Sequence, residues 1–261
     1  MSVPDKKLFS IVTTKTTNGI ATVTMDRPDA LNAFNNQMMD DLCEAFLAVE
    51  ADDTAKVLVL TGAGRAFTAG ADLKAMATGQ APAKHGLDGM LEAIIAFSKP
   101  FIVAANGVGA GIGCTICGLA DMTFMSASAR FRCPFSALGL TAEAASTYTF
   151  TRLMGHQKAS WMLLSSDWFS AAECEQMGLA MAVFPDEAFM DEVYARAGKL
   201  ASLPLASLRQ TKALIMDPQR EAMRAAVRAE NQGLAALAGG DANREALTAF
   251  MEKRDPDFSG L

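Results

Sequence analysis

Histidine, tyrosine and tryptophan each occur only twice in these 261 residues. His85 and His156 are far apart and belong to no cluster with metal-ligand spacing, and no nucleophile-elbow sequence accompanies them. Positive charge is also in deficit: 23 Lys and Arg face 29 Asp and Glu, a formal net charge of −6. Nucleic acids and anionic membranes bind basic faces, so the charge argues against both as partners. No apolar run approaches the roughly 20 residues of a membrane span. Residues 1–7 lack the apolar core of a signal peptide, and Ser259, Gly260 and Leu261 lack the basic middle residue of a peroxisomal tripeptide, so a cytoplasmic protein is expected. Five cysteines without disulfide-like spacing fit a reducing compartment. Cys114 and Cys117 sit one helical turn apart with no second pair, which reads as core packing in preference to a redox or metal motif.

The composition that remains is that of a globular protein, 51% apolar and 20% charged, long enough for one large domain or a domain with an appendage. Ala21, Val23 and Met25 alternate with Thr22 and Thr24, the period-two pattern of a strand with one buried face. Met39, Leu42, Phe46 and Val49 recur at helical spacing, while Asp40, Asp41, Glu44 and Glu50 take other faces; an acidic amphipathic helix is predicted over 35–51. The unbroken apolar run at 56–62, ended by glycine, predicts a strand buried on both faces. A helix at 88–97, a buried strand at 101–105, a glycine-rich loop, a helix from about Ile112 and a strand at 121–125 follow. This alternation predicts an α/β core. Beyond Pro185 the strand signals stop, and Pro204, Pro218 and the Gly239, Gly240 pair punctuate three helical stretches. The last carries Ala246, Leu247, Phe250 and Met251 as an apolar stripe, with Lys253 and Arg254 at its C-terminal end, where cations suit the helix dipole. We divide the chain into a core of residues 1–198 and a helical segment of 199–261, which must pack on the core or on another subunit; an oligomer is expected.

Two loops invite a ligand. Residues 61–73 (TGAGRAFTAGADL) leave a buried strand for a helix, and Ala69, Gly70 and Ala71 leave room for close approach to the main chain. The second glycine and the Lys-Ser/Thr of a phosphate loop are missing. Residues 106–113 (NGVGAGIG) also join a strand to a helix and offer free N–H groups at a helix N-terminus, but their glycines miss the dinucleotide spacing. Each loop taken singly reads as a tight turn. As a pair, they could aim two N–H groups at one carbonyl oxygen and stabilise charge developing there.

The segments MDRPDALNAF (25–34), GRAFTAGADL (64–73), KPFIVAANGVGAGIG (99–113) and GLADMTFMSASARF (118–131) resemble those of the enoyl-CoA hydratase/isomerase, or crotonase, family. The likeness continues through 151–155 to FMEKRDPDF (250–258). It implies a crotonase-like spiral of ββα units with a helical C-terminal segment, assembled as a trimer or dimer of trimers around acyl-CoA sites. It assigns the oxyanion amides to Ala71 and Ile112, the second a position where the family usually has glycine. It puts the CoA moiety near Asp29, Ala30, Leu31, Ala69, Asp72 and Leu73, with Phe250 and Lys253 reaching in from a neighbouring subunit. It implies no metal or redox cofactor, since coenzyme A enters as part of the thioester substrate.

Removing a thioester α-proton concentrates charge on oxygen. A preorganised donor is worth about 3–4 kcal/mol and a positioned base about 10²–10⁴ in rate, so the base is the residue to find. Hydratases of the resembled family use two glutamates, and the matching positions here hold Thr115 and Phe135. A carboxylate stands instead at Glu143, and PFSALGLTAEAASTYTF (134–150) resembles the Δ3,Δ2-enoyl-CoA isomerases of the peroxisomal type, in which this glutamate moves the proton. Apolar neighbours would raise its pKa and a nearby helix N-terminus would lower it. A purely structural reading puts Glu143 in the first turn of a helix capped by Thr141. The expectation is a Δ3,Δ2-enoyl-CoA isomerase of unsaturated fatty-acid β-oxidation. Its alternatives are a hydratase with rearranged acid/base groups and an inactive acyl-CoA binder. A dienoyl-CoA isomerase would need an acid where Phe135 stands, and an RNA-binding member a lysine-rich helix at 35–51. Asp121 reads as structural, and Trp161, Trp168 and Tyr148 read as helix packing. Acyl-length preference would depend on residues 74–98, which include Gly79, Pro82, Gly86 and Gly89.

Overall fold

A computed structural model describes residues 6–8, 10–78 and 81–261; Gly79 and the first five residues of the N-terminal segment lie outside the described residues. In chain order the strands are β1 (Lys6–Leu8), β2 (Val12–Thr17), β3 (Ile20–Met25), β4 (Val57–Gly62), β5 (Ala66–Thr68), β6 (Phe101–Ala105), β7 (Val108–Ala110), β8 (Met122–Ser126), β9 (Arg130–Arg132), β10 (Trp168–Ser170) and β11 (Ala182–Phe184). The helices are α1 (Asn36–Ala51), α2 (Leu73–Thr78), α3 (Gly86–Ala96), α4 (Ile112–Thr115), α5 (Ser146–Met154), α6 (His156–Ser165), α7 (Ala171–Met177), α8 (Phe189–Ala201), α9 (Leu205–Leu237) and α10 (Asp241–Glu252).

Seven strands form one sheet in the order β1-β2-β3-β4-β6-β8-β11, parallel from β3 onward, and four form a second in the order β10-β9-β7-β5. The pairs β4/β5, β6/β7 and β8/β9 each give their first strand to the large sheet and their second to the small one, before the chain turns into helix. This repeat is the expected spiral of ββα units. β4 and β6 are buried at every position, as continuous apolar runs with both faces covered require. Leu58, Leu60, Phe101 and Val103 face the main core, whereas Val57, Val59, Ile102 and Ala104 face α8 through Phe189, Val193 and Ala197. Full burial of each large side chain contributes about 1.5–3 kcal/mol. α1 begins at Asn35, whose side chain accepts from the Met38 amide, and buries Met38, Leu42, Phe46 and Val49.

Several expectations need correction. Both glycine-rich loops contain a short strand, β5 and β7, because each pairs with a neighbour in the second sheet. α4 is a single turn continued by the 3-10 turn Ile116–Leu119. Pro218 does not end a helix: α9 runs through it, at the expense of the hydrogen bond its missing N–H would make. The division drawn at residue 198 falls inside α8, which covers the large sheet. α10 buries Asn243, Ala246 and Ala249, so Leu247, Phe250 and Met251 of the expected stripe are exposed.

α9 is held at its N-terminal half by Lys212, whose ammonium lies 2.8 Å from Asp121 Oδ2 and donates to the Lys99 carbonyl at 2.8 Å. Asp121 also accepts from the Phe101 amide at 2.7 Å, and is structural as expected. Lys99 is completely buried and donates in turn to the carbonyls of Val49 (2.5 Å) and Asp52 (2.7 Å).

Candidate functional site

β5 and β7 are adjacent and parallel, with Ala66 opposite Val108 and Thr68 opposite Gly109, so the chain leaves their C-terminal ends side by side. Contact there is main chain on main chain. A Cβ at Gly70 (φ +86°) would stand 2.6 Å from the Ala110 carbonyl oxygen, which only glycine tolerates. The Phe34 amide donates to Gly70 O at 2.7 Å and the Asp72 amide to Phe34 O at 2.9 Å, leaving the Ala71 N–H between them unused. Ile112 is the first residue of α4, where no preceding turn supplies an acceptor. Among the described residues, neither the Ala71 nor the Ile112 N–H has a partner in the protein. Two free donors thus emerge from neighbouring strand ends.

Glu143 stands beside them. A Cβ on Gly111 (φ +53°), the residue before Ile112, would lie 3.7 Å from Glu143 Oε1. The glutamate is not in a helix capped by Thr141; α5 starts at Ser146, and Ala144 (φ +60°) and Ala145 (φ +58°) separate the two. Two successive non-glycine residues in the left-handed region cost on the order of 1–3 kcal/mol each and persist only where their surroundings over-determine them. The structural reading of Glu143 as a first-turn decoration therefore fails on geometry.

No hydrogen bond reaches the Glu143 carboxyl among the described residues, although the residue keeps some contact with solvent. Burial, together with the charge of Glu230, pushes its pKa up to about 7. The opposing pull of a helix N-terminus is spent elsewhere. Glu230, from α9, accepts from the amides of Ala145 (2.7 Å) and Thr147 (2.9 Å) and from Thr147 Oγ1 (2.7 Å), capping α5 from outside. Burial pushes the Glu230 carboxyl up as well, while these three bonds pull it down.

The two positions expected to match the hydratase glutamates hold no acid. Thr115 is fully buried with its hydroxyl directed to Gly111 O (3.4 Å), and Phe135 is a core side chain. Asp29, Ala30 and Leu31 form a 3-10 turn and its exit, tied to the loop at 69–73 where the Ala69 amide donates to Leu31 O at 2.9 Å. Asp72 and Leu73 continue that loop into α2. The Asp72 carboxylate is already engaged, 2.6 Å from Arg27 and accepting from the Ala75 amide at 2.9 Å. Phe250 and Lys253 are exposed at the end of α10, and no hydrogen bond among the described residues joins them to this group.

Sequence reasoning missed two residues. Asn32 is fully buried and stitches 25–34 to the loop, donating to the carbonyls of Ala63 and Ala66, both at 2.9 Å. Its only signal was an amide in an otherwise apolar turn. Glu230 had a clearer one: it falls on the stripe of Met223, Val227 and Leu234, where a carboxylate has to find donors. The other candidates take no part. His85 pairs with Glu44 at 2.8 Å, His156 is exposed, and Cys114 and Cys117 are buried with their thiols pushed up by burial. Contrary to the packing expectation, Trp161 is exposed and Trp168 lies on β10 under Arg130, 4.6 Å from its guanidinium carbon. A cavity of about 260 Å³ between α3 and α9, lined by Leu91, Ile95, Val227 and charged residues including Glu92 and Arg224, is separate from the two glycine-rich loops.

The profile of the family described as Enoyl-CoA hydratase/isomerase matches residues 15–260. The chain belongs to that family of acyl-CoA enzymes. It is 34% identical over 240 residues to the 2,3-dehydroadipyl-CoA hydratase of Escherichia coli (strain K12), covering 91% of this chain and 94% of that protein. It is 38% identical over 214 residues to the enoyl-CoA delta isomerase 2 of Rattus norvegicus, covering 79% of this chain and 54% of the rat protein, about half its length. The crystal structure of an enoyl-CoA hydratase/isomerase from Pseudoalteromonas atlantica T6c superposes with a TM-score of 0.90 at 31% identity, over 96% of this chain and 100% of the other. The crotonase fold and the enzyme class are thereby established. No helix among the described residues is long and apolar enough to cross a membrane.

Proposed function

We propose that this chain is a Δ3,Δ2-enoyl-CoA isomerase acting in the degradation of unsaturated acyl chains. The observation that carries the reading is a carboxylate, Glu143, without a hydrogen-bonding partner among the described residues, beside two free amides; Thr115 and Phe135 stand where the family resemblance puts the hydratase glutamates. In this reading the thioester carbonyl accepts from the Ala71 and Ile112 N–H groups. The Glu143 carboxylate takes a proton from C2 of the 3-enoyl thioester, the electrons move through the enolate, and the same carboxyl returns the proton at C4. The shift is redox-neutral and consumes no water, so it calls for neither a metal nor a redox cofactor. A pKa of about 7 suits a group that must both take and return the proton near neutrality.

The CoA moiety would lie along Asp29, Ala30, Leu31, Ala69, Asp72 and Leu73, with the main chain of Asp72 offered, since its side chain is occupied. Phe250 and Lys253 would approach from a second copy, with the helices that follow α8 as the oligomerisation segment of a homotrimer or dimer of trimers. The exposure of Leu247, Phe250 and Met251 supports that role for α10. The second reading is hydration, favoured by the likeness to the Escherichia coli hydratase. The test is conversion of trans-3-hexenoyl-CoA to its 2-enoyl isomer, with hydration of crotonyl-CoA in parallel, for the parent and Glu143→Gln. Isomerisation lost on substitution, with little hydration, supports the proposal; hydration without isomerisation overturns it.

A further inference from the structure

We propose that Glu230 is a positioning residue for the proton transfer, holding the Glu143 carboxyl beside the oxyanion amides through the three hydrogen bonds it accepts from Ala145 and Thr147. The proposal rests on the isomerase reading of Glu143. Its basis is the path of the chain after the glutamate. Ala144 and Ala145 lie consecutively in the left-handed region, where alanine does not settle by itself. Their buried methyl groups cannot hold the main chain by polar contact, and Ala145, as the N-cap of α5, has no capping side chain. The one carboxylate that grips this turn comes from α9, 85 residues away in sequence, with Oε2 on the Ala145 amide and Oε1 on both Thr147 donors. The Ser146 amide closes the turn onto the Glu143 carbonyl at 3.2 Å. Glu230 thus sets where the Glu143 main chain leaves the turn, and with it where the carboxyl points.

The same carboxylate acts through its charge. By repulsion it adds to burial in favouring the protonated acid at Glu143. The other charged groups of α3 and of the C-terminal half of α9 have partners: Glu92 pairs with Arg224 at 2.7 Å and Glu221 with Arg228 at 2.8 Å, while Asp88 accepts from Asn231 at 2.7 Å. Among the described residues, Glu230 has three donors and no cation. Its negative charge is therefore not cancelled locally.

Three variants measured on the intact chain test this. Glu230→Gln, with circular dichroism confirming the fold, is expected to lower kcat for 3-hexenoyl-CoA at least tenfold with KM changed less than threefold. The acid limb of kcat should move to lower pH, because the repulsion on Glu143 is gone. Glu230→Asp should return the acid limb toward the parent position while kcat stays low, since the shorter arm restores charge and not contact. Thr147→Val, at an exposed residue, removes one donor and keeps the charge; about a threefold drop in kcat with an unmoved acid limb is expected. A structural cap alone would change thermal stability and leave the acid limb in place. Parent kcat and an unmoved acid limb in Glu230→Gln overturn the proposal. If that variant does not fold, parent kcat in Thr147→Val overturns it. Glu143→Gln run alongside separates the two readings: if it retains isomerisation, the functional assignment itself fails, whereas its loss with normal Glu230 variants sinks only this inference.

Discussion

α9 carries two charged side chains into the protein about five helical turns apart, and their fates differ. Lys212 meets Asp121 and the Lys99 carbonyl, so its charge is cancelled and its donors are used. Glu230 meets three donors and, among the described residues, no cation, and lies close enough to a second carboxylate, Glu143, to raise its pKa. The first arrangement fastens a helix to a sheet. The second leaves surplus negative charge in a poorly solvated place, which is how a carboxyl acquires a pKa suited to moving protons near neutrality.

Breaking the second region should have the largest effect. Glu143→Gln is expected to lower kcat for double-bond migration by about 10²–10⁴, the usual worth of a positioned base, read by the ultraviolet absorbance of the conjugated product. Breaking the first region should affect folding in place of catalysis. Lys212→Met strands Asp121 and is expected to cost about 3–5 kcal/mol in urea denaturation, with the acid limb of kcat unmoved.

The pH dependence sharpens the contrast. Glu143 must be ionised to accept the C2 proton, so kcat should rise with pH through about 7. Its raised pKa also means that the folded state holds a proton the unfolded chain has lost. That stabilisation is complete below the unfolded carboxylate pKa and disappears as pH rises through about 7. Thermal melting of the parent should therefore fall between pH 5 and 7.5 more steeply than that of Glu143→Gln. The smallest effect belongs to a part-buried pair at the edge of the loop. Asp72→Ala removes the partner of Arg27 and an acceptor for the Ala75 amide, and should cost about 1–2 kcal/mol by denaturation.

Much of this was legible in the chain. The runs at 56–62 and 101–105 became buried parallel strands, because a strand covered on both faces needs apolar residues at every position. The stripe around Leu42, Phe46 and Val49 became α1, because one face of a surface helix must be buried. Small residues at 69–71 marked the close approach of the two loops for the same kind of reason: main chain can approach main chain only where side chains are absent. Pro218 misled because tertiary packing can carry a helix past one missing hydrogen bond. The stripe of α10 misled because periodicity identifies an apolar face without saying what covers it.

Sequence by itself determined the α/β class, the buried strands, the two glycine-rich loops and the lone carboxylate at Glu143. Only the tertiary structure decided that β5 and β7 lie side by side, that the Ala71 and Ile112 amides are left free, and that burial prevails over the α5 N-terminus at Glu143. The reason is that apolar runs and periodicity are local patterns, whereas the pairing of β5 with β7 and the capture of the Ala145 and Thr147 donors by Glu230 join segments far apart in the chain.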